Sequence, residues 1–136
     1  MAKIYNLFIS HSWAYGDAYE RLTDLLNSVP NFQYRDYSVP RNDPVHNAPN
    51  VNALYQAIRV QMTFCHVVLL MGGVYATYSK WIDREIQCAT GDLNKPVVGI
   101  RPWGNERIST AVQDAALTIV SWNAASIVSA IREHSL

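Results

Sequence analysis

Apolar and polar positions alternate along this chain between a strand-like and a helix-like period. Ile4 to Ser10 reads as a strand that ends at the polar run Ser10-His11-Ser12. Asp17 and Glu20 have the spacing of a capping box, and Leu22, Leu25, Leu26 and Val29 continue at helical spacing until Pro30 stops the helix. Phe32 to Tyr37 is a second strand, rich in aromatics. Ser38 to Asn50 holds three prolines and three asparagines and reads as a loop, longer than most connections in a compact domain. Leu54, Ile58 and Met62 then mark a helix, and His66 to Met71 is a nearly unbroken apolar run closed by Gly72-Gly73. Such a run suits a strand buried on both faces of a parallel sheet. A helix over Ser79–Thr90, a strand over Val97–Ile100, a loop with a short helix over Trp103–Asp114, a strand over Leu117–Val120 and a closing helix over Ala124–Arg132 complete the pattern.

Five strands alternating with helices predict one α/β domain over residues 1–136, a three-layer open parallel sheet with right-handed crossovers in the flavodoxin-like order 2-1-3-4-5. Ligands of such sheets bind beyond the carboxyl ends of the strands, where the strand order reverses, here between the first and third strands. Ser10-His11-Ser12, the Ser38–Asn50 loop, Gly72-Gly73 and the start of the Ser79–Thr90 helix all fall on that edge.

Composition narrows the partners. Lysine plus arginine and aspartate plus glutamate balance at 11 each, so no basic excess points to nucleic acid or to an anionic membrane. Charged residues are only 16% against 49% apolar, a globular balance. Cys65 and Cys88 have no C-x-x-C spacing, which suggests a reduced, cytoplasmic setting. The stretch from Met1 to Asn6 lacks a signal peptide's apolar core, and the run Val67 to Met71 is too short to span a bilayer.

Within the Ser79–Thr90 segment, Trp81 and Glu85 stand four residues apart and share a helix face one turn from each other. Ile82, Ile86 and Ala89 form the neighbouring apolar stripe, so the carboxyl lies at the margin of a buried surface, where an acid can be partly desolvated. Other chemistries of this fold lack their residues. There is no G-x-G-x-x-G and no G-x-x-x-x-G-K-[ST]. A receiver domain's acids are replaced by Met71 and Ser10-His11, and the four histidines are scattered without metal-ligand spacing. Ser10 and His11 point to opposite faces of a strand and make a poor start for a triad with Asp43.

Phe8-Ile9-Ser10-His11-Ser12 resembles the first-strand motif of TIR domains. Val68-Leu69-Leu70 followed by Trp81-x-x-x-Glu85 resembles that family's third strand and the helix after it, and Lys95 to Ile100 resembles its fourth strand. Lys80 to Ile86 and Val98-Gly99-Ile100 are especially similar to the bacterial TIR-like proteins of the Thoeris anti-phage system. The resemblance implies an enzyme that cleaves NAD+ between nicotinamide and ribose, with Glu85 as the catalytic acid. It also implies a product that is a cyclic ADP-ribose isomer or a related ADP-ribose conjugate, signalling to a downstream effector. NAD+ is then a substrate and no cofactor or metal is needed. The expected substrate-binding set is Phe8, Ser10, His11, Ser12, Arg41 and Trp81. Ser38–Asn50 resembles the loop that shapes the pocket and self-association in this family, although it lacks a glycine hinge.

Elementary chemistry is compatible with that role. Nicotinamide leaves without protonation, so a single carboxylate beside the ribose suffices to stabilise the oxocarbenium-like centre. Ser10 and Ser12 can hydrogen-bond a phosphate or ribose, Arg41 can pair with the pyrophosphate, and Trp81 can wall the pocket. Plainer readings stand beside these: Trp81 as core packing, Ser10 and Ser12 as caps, Arg41 as a solvated charge and Cys88 as a small apolar packer. The same sequence also suits a non-enzymatic TIR module that assembles through its surfaces, with Glu85 paired outward, or a flavodoxin-like nucleotide binder.

Overall fold

The computed structural model describes residues 3–9, 18–37, 51–71, 85–101 and 110–135. In chain order the elements are β1 (Ile4–Ile9), α1 (Ala18–Asn27), β2 (Gln33–Asp36), α2 (Val51–Met62), β3 (Val67–Met71), α3 (Gln87–Asp92), β4 (Val97–Ile100), α4 (Thr110–Ala115), β5 (Thr118–Val120) and α5 (Ala124–His134). All neighbouring strands pair in parallel, in the order β2-β1-β3-β4-β5. The fold is the doubly wound α/β arrangement that the alternating periods predict.

The pleat sorts the apolar residues into two layers. Leu7, Ile9, Val67, Leu69, Val98 and Ile100 face one way and pack with Leu22 and Leu26 of α1 and Ile127, Val128 and Ile131 of α5. Phe8, Val68, Leu70 and Val97 face the other way and pack with Ile58 and Met62 of α2, Cys88 and Ala89 of α3, and Val112 of α4. Taking each large side chain of these layers out of water contributes about 1.5–3 kcal/mol. The continuous run of β3 is needed because both of its faces are covered. Gly99 serves the α4 side: a Cβ there would meet Ile119 Cγ1 at 3.1 Å, Val112 Cγ1 at 3.2 Å and the Ala116 Cβ at 3.4 Å.

Element ends differ from the sequence expectation for local reasons. α1 stops at Asn27, before Pro30. The Ser28 hydroxyl donates to the Leu25 carbonyl at 2.6 Å, and its N–H reaches the Asp24 and Leu25 carbonyls, so the last turn tightens. Pro30 also disfavours a helical Val29, and Asn31 completes the turn at φ 62°, which asparagine tolerates. β2 is a short, exposed edge, but the Tyr37 N–H still donates to the Leu7 carbonyl at 2.9 Å. His66 lies just before β3, where its Nδ1 accepts the Asn6 N–H at 3.0 Å and its own N–H donates to the Asn6 carbonyl at 2.7 Å. Leu117 stays outside β5 and is exposed, and α5 runs two residues past Arg132, to His134. The Lys95 ammonium donates to the Thr63 and Cys65 carbonyls, at 3.1 and 2.9 Å, across the turn that leads into β3.

Candidate active site

α3 follows β3 and returns the chain to the start of β4. In a right-handed crossover such a helix begins at the carboxyl-end rim of the sheet and finishes at the amino-end rim. Glu85 and Ile86 are the α-helical residues that lead into it, upstream of the amino-end turn where Lys95 is held. Glu85 is 1% exposed, the one polar or charged residue among the described residues that is fully buried. It is not without a partner there. An acid withdrawn from water is expensive unless it is engaged, and such groups concentrate at functional sites. The sequence places this carboxyl at the margin of the apolar stripe; the structure places it inside, while Ile86 is only half-buried.

The helix itself accounts for the difference. Over Gln87–Asp92 it is a π-helix, whose hydrogen bonds span one residue more than those of an α-helix. The Leu93 N–H donates to the Cys88 carbonyl at 2.9 Å, and the Lys95 N–H to the Ala89 carbonyl at 2.6 Å. Cys88 and Ala89 are both buried in the layer that also holds Phe8. The Thr90 hydroxyl donates to the Ile86 carbonyl at 2.8 Å. Periodicity does not single out Thr90, because a threonine in an exposed helical position carries no distinctive signal.

Of the expected site residues, Glu85 and Phe8 are within the described structure. Both belong to the side of the sheet that α2 and α3 cover. Phe8 has no exposed surface and lies in the apolar layer beneath these helices. Ser10, His11, Ser12, Arg41 and Trp81 lie outside the described residues, as does the Ser38–Asn50 loop. Arg101, directly after β4, adds an exposed cation to the carboxyl-end rim, its N–H tied to the Val120 carbonyl at 2.8 Å.

The opposite rim holds an open cleft of about 340 Å³ lined by Thr90, Asn94, Lys95, Pro96, Leu117 and His134 among others. Its lysine is already engaged with the Thr63 and Cys65 carbonyls. Both cysteines are free and buried, and burial pushes the Cys65 thiol up to about 11, against the weaker opposing pull of Lys95. Among the described residues no three His, Cys, Asp or Glu side chains are grouped to hold a metal ion, and no helix is long and apolar enough to cross a membrane.

A sequence profile described as Thoeris protein ThsB, TIR-like domain, matches residues 8–107. The chain belongs to this TIR-like family. The match runs from β1 through β4 and includes Glu85, so the buried acid lies within the part that defines the family. The ThsB TIR-like domains are components of the Thoeris defence system, which makes this chain a TIR-type defence domain. No curated protein matches it significantly.

Proposed function

We propose that this domain cleaves NAD+ at the bond between nicotinamide and ribose, with Glu85 as the catalytic carboxylate. The observation that supports this most directly is the burial of Glu85 on the helix after β3 of a TIR-like domain. In the proposed step the C1′–N bond breaks and its electron pair passes to the nicotinamide nitrogen, which leaves neutral. The ribose carries the positive charge that forms. A carboxylate held in a poorly solvated place stabilises that charge far more than one in water would. The cation is then captured by water, which loses a proton, or by a nucleophile of the same molecule to give a cyclic ADP-ribose isomer. Trp81, Ser10, His11, Ser12 and Arg41 are proposed to hold the substrate at the rim, with Phe8 supplying the apolar floor behind it.

The product is proposed to diffuse to a Thoeris effector in the cytoplasm, after self-association of TIR domains has completed the site. Burial weighs against the non-enzymatic reading, which turns Glu85 outward to a surface partner.

Purified protein is incubated with NAD+, with and without extract of phage-infected cells, and nicotinamide is measured. Nucleotides are profiled by mass spectrometry in infected cells that express wild type or Glu85→Gln. Nicotinamide release by the wild type, lost in the variant, is the expected result. NAD+ left intact by the wild type under all these conditions sinks the substrate. Equal release by Glu85→Gln removes Glu85 from the chemistry.

A further inference from the structure

We infer that Thr90 is a positioning residue for Glu85, acting through the π-helical turn of α3; the catalytic side of this inference rests on the NAD+ reading above. The lower end of the segment is fixed. Leu93 packs against the α2/α3 layer, and Lys95 is held by its backbone bond to Ala89 and by its ammonium bonds to Thr63 and Cys65. A change in helical register must therefore show upstream of Leu93.

Counting back from Leu93 at about 100° per residue, an unbroken α-helix would leave Ile86 within about 20° of the inward direction. Glu85 would then stand about 80° off it, and Cys88 about 140° off, facing away from the sheet. The structure has the reverse order: Cys88 is 0% and Glu85 1% exposed, while Ile86 is half-buried. One extra residue in the turn explains all three positions. It moves every upstream residue by about 100°, so that Glu85 takes the place of Ile86 and Cys88 the place of Ala89.

Thr90 supplies a cause. An α-helix gives the Ile86 carbonyl to the Thr90 N–H. Here the Thr90 hydroxyl meets that carbonyl at 2.8 Å, a side-chain bond of the kind that competes with the helical ladder. Gly91 follows, and a Cβ at its position would meet nothing within 4 Å, so the turn is not imposed by crowding there. The hydroxyl bond lies within the expanded turn itself, at the carbonyl where the α-helical ladder is left.

Three variants of the full chain test this. Thr90→Val keeps the branched shape and removes the hydroxyl; Thr90→Ser keeps the hydroxyl; deletion of Gly91 removes the extra residue outright. Carbodiimide labelling of carboxyls, mapped by peptide mass spectrometry, reports the exposure of Glu85, with the exposed Glu20, Asp24 and Glu133 as internal references. Thermal unfolding confirms that each variant is folded. Glu85 is expected to be protected in the wild type and in Thr90→Ser, and labelled several-fold faster in Thr90→Val and in the deletion. Nicotinamide release should fall roughly tenfold or more in the latter two, mainly in kcat, as expected for a displaced catalytic group. Glu85 equally protected in all four proteins overturns the inference, whatever their activities. Exposure that follows the prediction in a wild type that does not cleave NAD+ upholds the positioning role of Thr90 and overturns the NAD+ reading instead.

Discussion

α5 and α3 cover opposite faces of one sheet and solve different problems. α5 opens with the Asn123 side chain accepting the Ser126 N–H at 3.0 Å, buries Ile127, Val128, Ala130 and Ile131, and carries Arg132 and His134 in its last turn, where cations suit the helix dipole. Every local signal agrees with an α-helix packed by its apolar stripe. α3 buries the Cys88 thiol, follows directly on a helical turn that buries the Glu85 acid, and departs from the α-helical ladder. The contrast teaches where each kind of helix puts its free energy: α5 holds the domain together, and α3 holds one carboxyl in place.

The two helices should therefore fail differently. Glu85→Gln is expected to reduce nicotinamide release roughly a hundredfold to a thousandfold, the scale of losing a group that stabilises developing charge. It should leave the thermal midpoint level or raise it, since a buried acid becomes a neutral isostere. Ile131→Ala in α5 should do the opposite, lowering stability by about 3 kcal/mol in urea unfolding, with kcat per folded molecule unchanged. If Glu85→Gln instead unfolds the domain, the carboxyl is a structural keystone and the contrast collapses. Asn123→Ala sharpens the same point at smaller scale: loss of the cap should lower stability by about 1 kcal/mol and nothing else.

The smallest effect concerns His66, which lies under neither helix. Desolvation first, then Lys3 and Lys95, hold its imidazole below its ordinary value, and its Nδ1 is committed as an acceptor to Asn6. A folded value below the unfolded one means that the unfolded chain binds the extra proton. Stability is then complete above the unfolded value near 6.5 and is lost as pH falls through the folded value. A shallow decline in the thermal midpoint below that pH, flattened in His66→Asn, is the expected outcome.

How much of this could be read from the sequence follows the same division. The Val67–Met71 run, the apolar end of β1 and the helical spacing of α5 each express burial through side-chain type, and the alternation of strands with helices gives the sheet order. Glu85 was legible as a candidate because Trp81, Ile82, Ile86 and Ala89 mark a helix beside it. Its depth was not, because Ile82, Ile86, Ala89 and Leu93 fit an ordinary α-helix so well. The expanded turn depends on which donor reaches the Ile86 carbonyl, and a periodicity of apolar residues does not report that. The end of α1 depends on a donor in the same way: the Ser28 hydroxyl meets the Leu25 carbonyl just ahead of Pro30.

The two bonds of the Lys95 ammonium have a consequence for the order in which parts of the domain come undone. They join the α3–β4 turn to the α2–β3 turn, segments about thirty residues apart in the chain, at separations of 32 and 30 residues. The β3–β4 ladder already couples the two strands, and the ammonium extends that coupling to the turns that lead into them. In native-state hydrogen exchange the amides of β3 and β4 should share one opening free energy. In Lys95→Met, which keeps the stem and loses the amine, the amides of the two turns should exchange faster while those of β3 and β4 stay together.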